Sequence, residues 1–162
     1  MHSLPVFVAD WEMYCCGEPF SVGTEVRWCL HFLYEDEMSV PAQALLPPGS
    51  PVTAAASASV AEPEITDGLR GMLSATWHTS AHNPKTLLAG TVRRIRLVRQ
   101  FTVKEDSGQT VVRAGAQLTE LAVSRSRFTI GSGATREDSW QETGLLVDLA
   151  MDLDAVIASV SS

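Results

Sequence analysis

Apolar and polar residues alternate with a period of two near both ends of the chain. In the opening segment Phe7, Ala9, Trp11 and Met13 share one parity, and in the next Val26, Trp28, Leu30 and Phe32 alternate with Glu25, Arg27, Cys29 and His31. Such alternation turns one row of side chains to an interior and the other to water, as in a half-buried strand. Between the two runs, Cys-Cys-Gly-Glu-Pro-Phe-Ser-Val-Gly carries the glycine and proline of a compact connection, so residues 1–33 read as a β-hairpin. The closing run is the most regular: Leu145, Val147, Leu149, Met151 and Leu153 alternate with Leu146, Asp148, Ala150, Asp152 and Asp154. That pattern predicts a strand with one apolar and one largely acidic face.

Between these ends the pattern changes. An acidic knot, Glu35-Asp36-Glu37, leads into a tract rich in Pro, Ala and Ser that has no sustained period, and residues 38–66 read as a connector. Leu69, Met72, Leu73 and Thr76 recur at helical spacing after Asp67, which predicts one short helix ended by Asn83-Pro84. From Thr86 the strand signals return, over Leu87–Val103 as one bent strand or two, over Val111–Ser124 as one or two around Gly115, and over Arg127–Ile130. Lys104-Glu105-Asp106-Ser107-Gly108 reads as a turn. About six or seven strands and one short helix predict a mainly β fold, a small antiparallel β-barrel or sandwich.

With 162 residues and a 45% hydrophobic share, one domain with a single core is expected. The first ten residues lack a basic start and reach Asp10 before an export signal could form, and no stretch approaches the roughly 18 apolar residues that span a bilayer. Three cysteines, two of them adjacent, do not make a disulfide framework, so reduced thiols in a cytoplasm are expected. Arginine outnumbers lysine by ten to two, the usage of a GC-rich genome.

The net charge of −7 is unevenly distributed: residues 1–67 carry ten acids and one base, residues 68–136 eleven bases and three acids, and residues 137–162 six acids. Arg93, Arg94, Arg96 and Arg99 fall in one predicted strand, where Arg94 and Arg96 share a face. Clustered guanidinium groups suit phosphate or nucleic acid. The acidic ends offer them cross-strand partners within the fold, and an acidic chain without aromatic stacking platforms speaks against nucleic acid.

Three groups of residues could carry chemistry. Cys15 and Cys16 with His78 and His82 supply zinc-type ligands, although adjacent cysteines reach one tetrahedral ion poorly. Cys16 or Cys29 with His31 or His78 supplies the residue types of a nucleophile and its base, with a strained vicinal disulfide between Cys15 and Cys16 as a further, lesser alternative. Asp148, Asp152 and Asp154, with Glu142, could pair for acid–base work, hold a hard cation, or simply form a solvated face. Of the four tryptophans, Trp11 and Trp28 are the candidates to line a ligand-binding barrel mouth, together with Arg94 and Arg96. No phosphate-binding loop, dinucleotide fingerprint or Gly-x-Ser-x-Gly elbow is present.

The residues Trp11, Met13, Cys15-Cys16-Gly17, Phe20, Val22-Gly23, Val26 and Trp28, with Gly90-Thr91-Val92 and Gly144-Leu145-Leu146-Val147-Asp148-Leu149, resemble a family of small actinobacterial proteins known as a domain of unknown function. The resemblance covers about half the chain in three patches, outside the connector, and implies one compact domain but no mechanism. The function expected from these readings is non-enzymatic: a module, without cofactor or membrane span, that binds a partner protein or small molecule, with a homodimer as an open arrangement. The alternative is a zinc-dependent or cysteine-based enzyme using Cys15, Cys16, His78 and His82.

Overall fold

The computed structural model describes residues 2–34, 71–77, 87–104, 106–107, 110–112, 116–128, 138–152 and 154–156. Seven strands and one short helix carry the architecture: β1 (His2–Ala9), α1 (Asp10–Cys15), β2 (Glu25–Tyr34), β3 (Gly71–Thr76), β4 (Leu87–Lys104), β5 (Thr110–Val112), β6 (Gln117–Leu121) and β7 (Asp138–Met151). They form one sheet in the order β2-β3-β1-β7-β4-β5, and a further pairing of β2 with β4 joins the path into a barrel of five strands. The mainly β barrel expected from the alternation is therefore present. It is mixed and not wholly antiparallel, because β1 runs parallel to β3, with Val6 opposite Leu73.

The opening hairpin does not form. Strand β1 pairs with β3 and, antiparallel, with β7 from His2↔Met151 to Ala9↔Gly144, while β2 pairs with β3 and β4. The row read as inward has the wrong parity: Leu4, Val6 and Val8 enter the core, Phe7 is buried outside the main cluster, and past Ala9 the chain leaves the sheet and turns through the six residues of α1, too few for a helical period to show. The short helix predicted around Leu69–Thr76 is likewise replaced, over Gly71–Thr76, by β3. Flanked by β2 and β1, this segment buries Leu73 and Ala75, two residues apart, against the core, and that burial overrides its weak helical spacing.

The apolar row of the closing strand forms as its pattern predicts up to Met151, where β7 ends; Asp152 lies beyond it, Asp154 opens a short helical turn at 154–156, and Leu146 and Ala150 on the face expected to be acidic are buried. Leu145, Val147, Leu149 and Met151 are buried together with Leu4, Val6 and Val8 of β1, Trp28 and Leu30 of β2, and Val92, Ile95 and Leu97 of β4. Side chains thus fill the barrel interior, as expected for a barrel of so few strands. Phe7, Val98 and Leu146 are buried outside this main cluster.

Strand β4 extends beyond the barrel. One edge follows β7 from Thr91 to Val103, while the other is taken in turn by β2, by β6 (Ile95↔Leu121 to Arg99↔Gln117) and by β5 (Thr102↔Val112 to Lys104↔Thr110). A turn at Asp106 and Ser107, where its composition placed one, lies between β4 and β5. The β4–β7 ladder shifts register between Val92 and Arg94, so Arg93 and Arg94 both face outwards between the buried Val92 and Ile95. A second shift leaves Thr143 as the extra residue on β7, where its buried hydroxyl donates to Gln100 Oε1 at 2.7 Å. Arg127 and Phe128 are not in a strand. The 38–66 connector, Thr129 and Ile130 lie outside the described residues.

Candidate functional site

The helix α1 is held by residues that face inwards. Met13 packs in the core, and the buried Glu12 carboxylate accepts from the Thr76 hydroxyl at 2.9 Å and the Trp77 backbone N–H at 3.0 Å. Its carbonyl oxygen accepts from the N–H groups of Cys16 and Gly17 at 3.0 and 2.9 Å, closing the helix. At Gly17 a Cβ would stand 2.6 Å from Met13 Sδ and 3.0 Å from Met13 Cα, so a side chain here would push against the helix. With Glu12 and Met13 inside, the same helix projects Trp11 and Tyr14 outwards, 56% and 77% exposed.

The chain after β6 brings the fourth member of the site. Phe20 N–H donates to Ser124 Oγ at 2.9 Å, Ser124 N–H to the Phe20 carbonyl at 2.8 Å, and Val22 N–H to the Ala122 carbonyl at 3.0 Å. Arg125 then bridges to Glu142 of β7 at 2.5 Å. These ties lead the chain to Phe128, which packs partly against the core and lines a cleft with Asp10, Trp11 and Tyr14. The cleft, of about 280 Å³, is open to solvent and sits at the lower edge of the size range of small-ligand sites.

Three aromatic rings and one carboxyl group therefore meet on one exposed surface. Burial raises the pKa of Asp10 above that of an ordinary aspartate, against the opposing pull of the backbone N–H groups of Trp11 and Asp10. The chemistry this arrangement can offer is recognition: aromatic faces for stacking, with a partly desolvated acid beside them.

The residues singled out from the sequence do not all meet. Trp11 lines the cleft, whereas Trp28 lies in the core, edge-on to Phe20 at 4.8 Å and to Trp77 at 5.6 Å. Arg96 bridges to Asp148 across β4 and β7 at 2.6 Å, and Arg94 pairs with Glu120 of β6. The hydrogen bond from Arg94 holds the Glu120 carboxyl below its usual range, and the same bond raises the pKa of Arg94. The basic middle and acidic end are thus joined by ion pairs at Arg96–Asp148 and Arg125–Glu142.

Cys15 and Cys16 are joined to each other by a disulfide at the end of α1, in place of the two reduced thiols expected. His78 and His82 lie outside the described residues. Among the described residues no group of three His, Cys, Asp or Glu side chains is placed to hold a metal ion. Cys29 retains its thiol, buried on β2, with Sγ 3.6 Å from Nε2 of the exposed His31. This pairing matches one of the nucleophile–base combinations read from the sequence.

Asp10, Tyr14 and Phe128 were not legible as site residues. The available signal was Asp10 followed by Trp11 and Tyr14, an acid in the first turn of a helix with aromatics one and four residues on, but it was hidden by the apparent strand alternation. Phe128 reaches the cleft only through the pairing of residues 122–124 with 20–22, a tertiary contact.

No helix among the described residues is long and apolar enough to cross a membrane. Residues 2–151 match the model of a family described as a family of unknown function (DUF6578). No curated protein and no solved structure matches.

Proposed function

The chain belongs to this family of unknown function, and we propose that it is a non-enzymatic binding module whose recognition surface is the α1 cleft. The observation that carries the reading is the exposure of Trp11 and Tyr14 on a helix whose other side is fixed by Glu12 and Met13. Two large aromatics outside, beside the partly buried Phe128, form the kind of apolar concavity that binds ligands and partner side chains. The packed barrel interior supports a site on the outer surface over one within the barrel.

The test is a fragment screen followed by backbone amide NMR. Ligands are expected to shift the signals of residues 10–15 and 128 and to lose those effects in W11A. Shifts confined to another surface, or no shifts from a broad aromatic library, would overturn the reading.

A second reading, cysteine chemistry at Cys29, is favoured by its 3.6 Å approach to His31. It predicts that alkylation of Cys29 slows markedly in H31A. Alkylation unaffected by H31A would remove it.

A further inference from the structure

We infer that the group the α1 cleft takes is a cation, the guanidinium of an arginine side chain presented by a partner protein. The inference rests on the cleft being a binding site and goes further by assigning the charge and shape of its occupant. Trp11, Tyr14 and Phe128 line the cleft, and the electron-rich π systems of such rings attract positive charge. Asp10 lines the same cleft. Helix α1 bears two acids, Asp10 and Glu12, and no base, and Glu12 is turned inwards to Thr76 and Trp77. The charge on the cleft side of the helix is therefore that of Asp10, and it is negative.

An arginine fits this set better than a lysine or a neutral ring. Its flat guanidinium stacks on an aromatic face while its edge donates two parallel hydrogen bonds to a carboxylate, so it can use the rings and Asp10 together. An ammonium group would meet Asp10 as a point charge without the stacking surface, and a neutral aromatic ring would leave the carboxylate unanswered. The burial that raises the pKa of Asp10 supports this direction, because an adjacent cation offsets the cost of desolvating the ionised carboxylate. The protein already places a guanidinium against an indole elsewhere: Arg99 lies 5.9 Å from the centre of the Trp140 ring. Arg127, exposed next to Phe128, does not line the cleft.

The test compares three probes on the whole chain by backbone amide NMR: N-acetyl-arginine amide, its uncharged isostere N-acetyl-citrulline amide, and N-acetyl-phenylalanine amide. The arginine probe is expected to shift the signals of residues 10–15 and 128 and to bind about tenfold more tightly than the citrulline probe. D10N is expected to weaken arginine binding by about tenfold while leaving the phenylalanine probe unchanged. Because the probe comparison is made on the unaltered chain, it stands even where a variant is poorly folded. Equal binding of arginine and citrulline, or preference for the phenylalanine probe, overturns the cation assignment while leaving the cleft a binding site. If none of the three shifts these signals, both readings fall.

Discussion

The carboxylate of Glu12, buried on a six-residue helix, accepts a hydrogen bond from the hydroxyl of Thr76 at the end of β3, 64 residues further along the chain. A helix this short is not stable alone, so its position depends on such tertiary anchors. E12A leaves the Thr76 hydroxyl and the Trp77 N–H without this acceptor and is expected to cost about 2–3 kcal/mol. E12Q, which keeps one carbonyl oxygen, should cost about half as much. Urea denaturation measures both, and near-equal stability of E12A and the parent chain would show that Met13 alone holds α1.

Gly144 stands opposite Ala9, where the chain leaves β1 for α1. A Cβ there would collide with the Val8 carbonyl oxygen and lie 3.0 Å from Cζ of Phe7. The obstruction on one side is backbone, which cannot rotate away, so G144A is expected to destabilise the protein by about 3 kcal/mol. G23A is the comparison. Gly23 has open space around its Cβ position and only its φ of +92° to oppose a side chain, so it should lose about 1 kcal/mol. Thermal melts rank the two, and the reverse order would contradict the packing argument.

Arg96 and Asp148 form a pair whose side chains are only 14% and 23% exposed, and Arg96 Nε is buried without a hydrogen-bond partner among the described residues. D148A should therefore cost about 2 kcal/mol, mostly through the uncompensated guanidinium, and R96L/D148L should regain most of that loss. Arg94 and Glu120 are half exposed, and E120Q should leave the melting temperature unchanged at physiological salt. A double-mutant cycle for each pair separates the cases, and a larger coupling at Arg94–Glu120 would reverse the burial argument.

The raised pKa of Asp10 makes stability depend on pH in a definite direction. The folded chain holds this proton more tightly than the unfolded one. The contribution is therefore complete below the unfolded aspartate value and is lost as pH rises through the folded one. In D10N this component is absent. Subtracting its stability profile from that of the parent chain should leave a curve that falls across the upper carboxylate range, and a curve that rises there would show that backbone hydrogen bonds outweigh burial.

Legibility in the sequence followed the range of the interactions. The closing strand was readable because Leu145, Val147, Leu149 and Met151 form an uninterrupted alternation whose burial is fixed by local pattern. The outward turn of both Arg93 and Arg94 was not readable, because a bulge changes parity without marking the sequence. The α1 cleft was half visible. Trp11 stood out as an aromatic, whereas Asp10, Tyr14 and Phe128 acquire meaning only once residues 122–124 lie along 20–22 and Glu12 reaches Thr76. Composition pointed to reduced thiols at Cys15 and Cys16, whose bond to one another depends on local conformation at the end of α1.

The seating of β1 between β3 and β7 fixes when the molecule can assemble. Strand β1 meets its longest partner only when residues 144–151 are present, and until then it carries a bare edge. Assembly waits on β7 and proceeds at the slow pace of distant strand pairing, and a chain cut short before residue 138 would leave both β1 and β4 open to pairing with strands of other molecules.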